Sequence, residues 1–361
     1  MKEEKKEVQF SKSNITLSTS DKVGLVSNLH TMLAAGIPIL EVVVSLLEDA
    51  KGNQKKILTA MKEDLGQGQH LYYTFGRFPR VFDKVTVSII KASEEAGTLD
   101  EALKDMKINT LKDREFNDRI KGALIYPVFI MVIFLVVMGV ILTVVVPRIS
   151  TVFSRMKVNI PLPTQIMFKI SGALFAYPYQ IIAGAAIIIA GFIYLFKRYK
   201  IFFIRALISL PLISFLARQI DLTRFSRNLY LLLNSGIPIT TALELSQETV
   251  IKKEIYDALV HARQNVTAGK KFSEGLKDHK KIIPLIMIKI IEAGERSGTL
   301  STSTQDISEY LDYEVNSTLK TVTALIEPLM LVLVGVLIGG MMVSIIAPMY
   351  SLISQVGAGP R

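Results

Sequence analysis

Apolar positions recur at helical spacing through two long stretches of this chain, and each stretch runs into an uncharged apolar segment. In the first stretch, Ser20-Asp21 suits the N-cap of a helix reaching Ala35. Gly36 suits the left-handed residue that follows, and Pro38 the first turn of the next helix. Ile39–Ala50 then carries Leu40, Val43, Val44 and Leu47 on one helical face. A third helix is expected around Gln54–Leu65, ending at Gly66-Gln67-Gly68, and a shorter fourth ends near Pro79. Asp83–Ala96 and Thr98–Arg119 read as the fifth and sixth helices, with Gly97 as the stop between them. No stretch alternates with period two over the length of a strand. Val128–Val146 is apolar and without charge, about 28 Å long as a helix and so close to a hydrocarbon core of about 30 Å. Ile181–Phe196 is a second such segment, stopped by Lys197-Arg198-Tyr199-Lys200, and Leu329–Ala347 a third.

The pattern occurs twice. Gly36-Ile37-Pro38-Ile39 returns as Gly236-Ile237-Pro238-Ile239. Ile89-Ile90-x-Ala92-x-Glu94-x-x-Gly97-Thr98-Leu99 returns as Ile290-Ile291-x-Ala293-x-Glu295-x-x-Gly298-Thr299-Leu300. Ala123-Leu124-Ile125-x-Pro127, an apolar run and Pro147 return as Ala324-Leu325-Ile326-x-Pro328, an apolar run and Pro348. The offset is 200 residues at the first landmark and 201 at the others, which is the signature of a duplicated unit. The predicted fold is an all-α membrane protein with two repeated helical bundles, about six helices each, and three transmembrane helices. Its expected segments are a disordered tail over 1–20, a first bundle over 21–122 and a span over 123–147. A connector outside the cytoplasm or in the interface covers 148–178, with an amphipathic patch near Ile166–Phe175. A second span over 179–197, a second bundle over 198–322, a third span over 323–348 and a short outer tail over 349–361 complete the chain.

Composition locates the charge. The chain has 361 residues, half of them hydrophobic, and a net charge of +10, long enough for two cores of about a hundred residues each plus spans. Residues 23–121 are balanced and 205–322 nearly so, whereas 148–204 hold seven basic residues and no acid. That excess flanks an apolar run, where anionic lipid headgroups are the counter-charge, and no basic face for nucleic acid is visible. A single unrepeated span between two direct repeats returns the second bundle to the first one's side. With no apolar leader near Met1, both bundles and the N-terminus are expected in the cytoplasm.

Candidate chemistry is sparse. There is no cysteine, and His30, His70, His261 and His279 are scattered, so neither a metal site nor a cysteine nucleophile is expected. Gly269-Lys270-Lys271 lacks the first glycine and the Ser/Thr of a phosphate loop, and no strand precedes it. Ser88-x-x-Lys91 has no supporting second motif. Glu94 and Glu295 each precede a helix-ending glycine, Gly97 and Gly298. A catalytic role needs a second group to split the pKa values, and none is visible. They read instead as side chains hydrogen-bonding across a turn between helices or at a domain contact. Glu327 stands before Pro328 at a membrane boundary, where Tyr126 takes its place in the first repeat. Gly335 and Gly339 form a small-xxx-small pattern that lets helix backbones approach; the pattern is also common in apolar helices without such a contact.

Together, the duplicated Gly-Ile-Pro turn, the Glu-x-x-Gly-Thr-Leu element and the bundle–span–span–bundle–span order resemble the type II secretion system F / type IV pilus assembly platform family, over roughly Asp21–Tyr350. Gly294-Glu295-Arg296-Ser297-Gly298 fits the family's Gly-Glu-x-Ser-Gly pattern, whereas Ser93-Glu94-Glu95-Ala96-Gly97 departs from it at Ser93 and Ala96. The resemblance implies a non-enzymatic platform, without cofactor, in the bacterial inner membrane. It implies as partners a cytoplasmic hexameric ATPase, pilin or pseudopilin subunits, other inner-membrane assembly components and further copies of the chain. The faces Asp100–Arg119 and Thr302–Lys320 are the candidates for the ATPase. The alternatives are a repeat-built small-molecule transporter, against which the absence of charge in mid-span argues, and a membrane-anchored enzyme.

Overall fold

The computed structural model describes residues 14–156, 162–177 and 211–356, with Tyr179, Gly191, Tyr194, Leu195, Arg198 and Tyr199 as single positions between them. The expected second span, Ile181–Phe196, therefore lies almost wholly outside the described residues, as does most of the expected N-terminal tail. Every described element is helical.

The first repeat contains α1 (Thr19–Ala34), α2 (Ile39–Asp49), α3 (Gly52–Gly66), α4 (Leu71–Arg77), α5 (Lys84–Ala96) and α6 (Leu99–Val140). Ser18, not Ser20-Asp21, caps α1: its hydroxyl accepts from the Asp21 N–H, and Asp21 lies inside the first turn. Gly36 follows α1 at φ +82°, a conformation that only glycine adopts without strain. There the Gly36 and Ile37 amides donate to Leu33 and Met32 and close the helix end. Pro38 is the N-cap of α2 rather than part of its first turn; its carbonyl accepts from Val42. The second repeat rebuilds this with α9 (Pro211–Asn234), α10 (Ile239–Gln247), α11 (Lys253–Thr267), α12 (Phe272–Lys277), α13 (Leu285–Ser297) and α14 (Leu300–Val356). Gly236 and Pro238 take the same positions there.

The cores exchange large and small residues between repeats. Phe75 and Phe82 stack at 3.8 Å in the first bundle, with Leu25 and Leu71 also fully buried. At the equivalent places the second bundle buries Leu276 and Ile283, and puts Phe225 and Phe272 where the first has leucines. At these four places two phenylalanines and two aliphatic residues are kept while their positions change, so the volume there is conserved. The expected two separate cores are in fact joined: the residues up to Arg119 and Phe215–Ser317 form one compact unit with a continuous buried cluster.

The described residues within 120–214 and 318–361 form a second unit. Here the expected helix boundaries fail. α6 continues through Pro127 to Val140, a π-helical segment follows at Ile141–Val145, and α7 (Val146–Met156) runs on past Pro147. α14 likewise passes both Pro328 and Pro348. A proline lacks an N–H, and at two places a hydroxyl meets the carbonyl so freed. Part of the expected connector is α8 (Leu162–Ala176). Its Ser171 hydroxyl donates to Leu142 O at 2.6 Å, the carbonyl that the π register would pair with residue 147. Its Thr164 hydroxyl donates to Ser344 O at 2.6 Å, the carbonyl four residues before Pro348. Thr164 and Ser171 are two turns apart on α8, and both are buried.

Candidate functional site

Each bundle contains a carboxylate clamp. α5 ends at Gly97, φ +75°, and α13 at Gly298, φ +74°, so the last turn of each presents a glutamate towards a short helix of the same bundle. Glu94 accepts the Leu71 and Tyr72 amides at 2.8 and 3.2 Å, at the start of α4. Glu295 accepts the Phe272 and Ser273 amides at 2.5 and 3.1 Å, at the start of α12. A helix of six or seven residues has a poor nucleus of its own, and its first amides have no partner within it. A carboxylate there satisfies two of them and meets the positive end of the helix. His70, which had no acidic neighbour in the sequence, stands 3.3 Å from Glu94. His261 and His279 meet edge to face at 5.3 Å, although eighteen positions separate them in sequence. Among the described residues no group of three His, Asp or Glu is set to hold a metal.

A charged junction links the two bundles within their unit. Arg227 on α9 is largely buried, and its Nη2 donates to both Asp312 oxygens on α14 at 2.5 and 2.6 Å. Its Nη1 reaches Asp113 on α6 at 3.4 Å. Lys112 pairs with Asp312 at 3.5 Å, Arg119 with the Asn316 side chain, and Asn234 with Asp105 at 3.5 Å. Around them is a cavity of about 210 Å³ lined by Lys112, Arg119, Arg224, Arg227, Glu309 and Asp312 among others. Burial raises the Asp105 pKa, against the hydrogen bond from Asn234 and the charge of Lys104. Burial also raises that of Tyr230, with Asp105 and Glu309 adding to it. Nearby, Asp221 on α9 accepts the Ile251 and Lys252 amides at 3.1 and 2.7 Å, and burial holds its pKa above the ordinary carboxylate value despite them.

The junction corrects one expectation. The faces Asp100–Arg119 and Thr302–Lys320 are not both free, since Lys112 and Arg119 of one bond Asp312 and Asn316 of the other. Lys104 remains exposed and Lys107 half-buried. Arg227 was not singled out from sequence: it falls mid-helix, and Ser27 occupies its place in the first repeat. Glu327 is exposed on α14, and among the described residues no packing neighbour lies within 4 Å of where a Cβ would stand at Gly335 or Gly339.

Comparison with known proteins agrees with the duplication. The model of the family described as type II secretion system (T2SS), protein F, matches residues 25–147 and again 225–348. The type IV pilus assembly protein PilC of Myxococcus xanthus is 27% identical over 327 residues, covering 89% of this chain and 78% of that protein. The protein of the same name from Pseudomonas aeruginosa is 26% identical, covering 91% and 89% respectively. The type II secretion system protein F of Pseudomonas aeruginosa is 27% identical over 344 residues, covering 94% and 85%. Both halves of the match begin inside the first helix of a bundle and end at the proline that follows an apolar run, so this chain belongs to the type II secretion system protein F family.

Proposed function

We propose that this chain is the inner-membrane platform of a type IV pilus or type II secretion machine. Its bundles lie in the cytoplasm, engage an assembly ATPase, and transmit that engagement to pilin or pseudopilin subunits entering the filament. The platform self-associates, contacts other inner-membrane assembly components and lipid, and carries out no chemistry of its own. The observation that carries this reading is that the family match covers both repeats, among relatives named for pilus assembly and for type II secretion. Two helical stretches, Leu99–Phe153 and Leu300–Ile346, are long and apolar enough to cross a membrane, and their apolar windows are almost wholly exposed. Such surface is costly in water and matched by lipid.

The helices themselves supply a mechanical rationale. α6 and α14 each contribute residues to the charged junction and also enter their apolar segments as the same helix, α6 passing at Val140 into the π-helical segment and α7. A load applied to the bundles is then carried along helical backbone rather than through loops. The test uses the full chain. Lys104→Glu with Lys107→Glu should weaken capture of the cognate ATPase while leaving the melting temperature unchanged, and the purified platform should bind no ATP. Undiminished capture removes the α6 face, and ATP binding by the platform alone overturns the non-enzymatic reading. Cysteines at Lys62 and Lys270, both exposed, should be shielded from an impermeant thiol reagent in intact cells.

A further inference from the structure

The duplication lets one contact be examined at both of its possible places. Within the bundle unit, α5 of the first repeat packs on α10 of the second, and Lys84 Nζ donates to Glu248 Oε2 at 2.8 Å. The counterpart pairing does not form a comparable packed contact among the described residues. α13 is the repeat equivalent of α5, and α2 is the equivalent of α10. Burial differs accordingly. Val85 and Ile89 on α5 are each 4% exposed, whereas Ile286, equivalent to Val85, is 48% exposed, and Ile290 is only partly covered. Beside Ile286, Leu285 is 57% exposed. On α2, Leu40 is 40% and Val44 37% exposed, while Leu46 and Leu47 are half-buried at the places where α10 buries Ser246 and Gln247.

The residue types on the two uncovered faces correspond to each other. Lys84 is replaced by Leu285, and Glu244, whose charge also acts on Lys84, is replaced by Val44. At the uncovered counterpart Leu285 and Val44 thus stand where Lys84 and Glu244 do, while Glu48 keeps the place of Glu248. Thr240 likewise becomes Leu40. The rims are opposite in charge: α2 carries Glu41, Glu48 and Asp49 and no base, while α13 exposes Lys289 and Arg296 and follows Lys280-Lys281. Of the two acids on α13, Glu295 is engaged with the start of α12, and Glu292 is held by Lys277, Lys289 and Arg296, the first two of which lower its pKa.

We propose that α13 of one chain docks on α2 of a second copy, repeating between molecules the α5–α10 contact made within each. The occupant of each face is the other face. Because the two surfaces differ, the contact is heterologous: it closes into a ring where the rotation allows and otherwise extends. Each added copy covers Leu285 and Ile286 on one neighbour and Leu40 and Val44 on the other. The inference rests only on the self-association part of the proposed function, not on the ATPase or the filament.

The cysteine-free sequence makes the test direct. Full-length Leu40→Cys and Ile286→Cys variants, each with its own tag, are co-expressed, and membranes are treated with a short bis-maleimide. A cross-linked product carrying both tags should form in large excess over the homodimers that either variant gives alone. Equal yields from the single variants, or no mixed product, overturn the proposal. In native mass spectrometry of the detergent-solubilised chain, Ile286→Lys should weaken self-association about tenfold. Adding Leu40→Glu to that chain should restore it by pairing the new charges, and failure to restore it counts against the α13–α2 pairing. Both positions are exposed, so neither change should move the helical melting curve. Neither readout involves an ATPase or a pilin, so its failure leaves the rest of the platform reading standing.

Discussion

The two bundles share a framework and differ in how they lock it. In the first, Asp64 on α3 accepts from the Thr74 hydroxyl at 2.8 Å and pairs with Arg77 at 2.8 Å, so α3 and α4 are held through a buried polar cluster. The second has Asn265, Gly275 and Asp278 at those places. There α11 and α12 are in direct backbone contact: a Cβ on Gly275 would stand 2.6 Å from Ala262 Cα and 2.9 Å from Asn265 Nδ2. A second exchange follows the same logic. Gly294 faces Ser303 in the second repeat, where a Cβ on the glycine would meet the serine hydroxyl, and the corresponding positions in the first repeat are Ser93 and Ala102. The departure of Ser93 from the family pattern thus goes with a smaller residue, Ala102, at the place of Ser303. What both bundles keep is the carboxylate clamp. Polar locks and close packing substitute for one another, while the unsatisfied start of a short helix has the same remedy twice.

That contrast predicts its largest effects at the shared feature. Glu94→Ala and Glu295→Ala each remove a partly buried carboxylate from two backbone amides, a loss of about 2–3 kcal/mol for charge-assisted bonds. Melting of the full chain in detergent, followed by circular dichroism, should show comparable losses for both. A large loss for one and none for the other would break the equivalence of the repeats.

The unshared lock should give unequal results. Gly275→Ala forces a methyl group against the α11 backbone, with an expected cost of about 1–3 kcal/mol. Thr74→Ala, at the same repeat position, removes one hydrogen bond while Arg77 still holds Asp64, so about 1 kcal/mol is expected. The same melting assay ranks the two, and a harmless Gly275→Ala would show that α11 and α12 are not in close contact.

The spans carry a third comparison, between the two prolines that free a carbonyl. Thr164→Val leaves Ser344 O without its donor, and Ser171→Ala does the same at Leu142 O. Hydrogen bonds between apolar helices contribute about 0.6–2 kcal/mol, so each variant should lower the melting temperature modestly, and the double variant by about the sum. If neither shifts it, α8 does not hold the two helix ends.

The sequence made the duplication and the helix stops legible because both are local. A glycine after an amphipathic run marks an end wherever the chain must turn left-handed, as Gly36 and Gly97 do. The run of helix past Arg119, and on past Pro147 and Pro348, was not legible for a physical reason. A proline breaks a helix only where nothing compensates for its missing N–H, and compensation comes from residues remote in sequence. The partners of Glu94 lie more than twenty residues upstream, and those of Arg227 lie 114 and 85 residues away. No periodicity encodes such distances. Repetition of Glu94 as Glu295 pointed to a role, but only the structure identified the amides it holds.

The smallest expected effect is also the most specific test of how the repeats meet. Lys84–Glu248 is a largely exposed pair, with Glu248 the main cause of the raised Lys84 pKa and Glu244 a lesser one. A pair so exposed contributes about 0.2–1 kcal/mol and is screened by salt. Replacing Lys84 by Leu and Glu244 by Val gives the contact within the chain the apolar residues of its uncovered counterpart, Leu285 and Val44. Two exposed ion pairs, Lys84–Glu248 and Glu244–Arg263, are then lost against apolar burial of similar size, so the melting temperature at low salt should change little. Its response to salt should change instead. Between about 0.05 and 0.5 M salt, where screening shortens to a few ångströms, the double variant should lose less stability than the unmodified chain. Lys84→Leu alone removes the base while leaving Glu244 and Glu248 side by side, and should be the least stable of the three at low salt. An unchanged salt response in the double variant would mean that the charge pair does not hold the bundles together, and that the template for the contact between chains must be sought in Val85 and Ile89 alone.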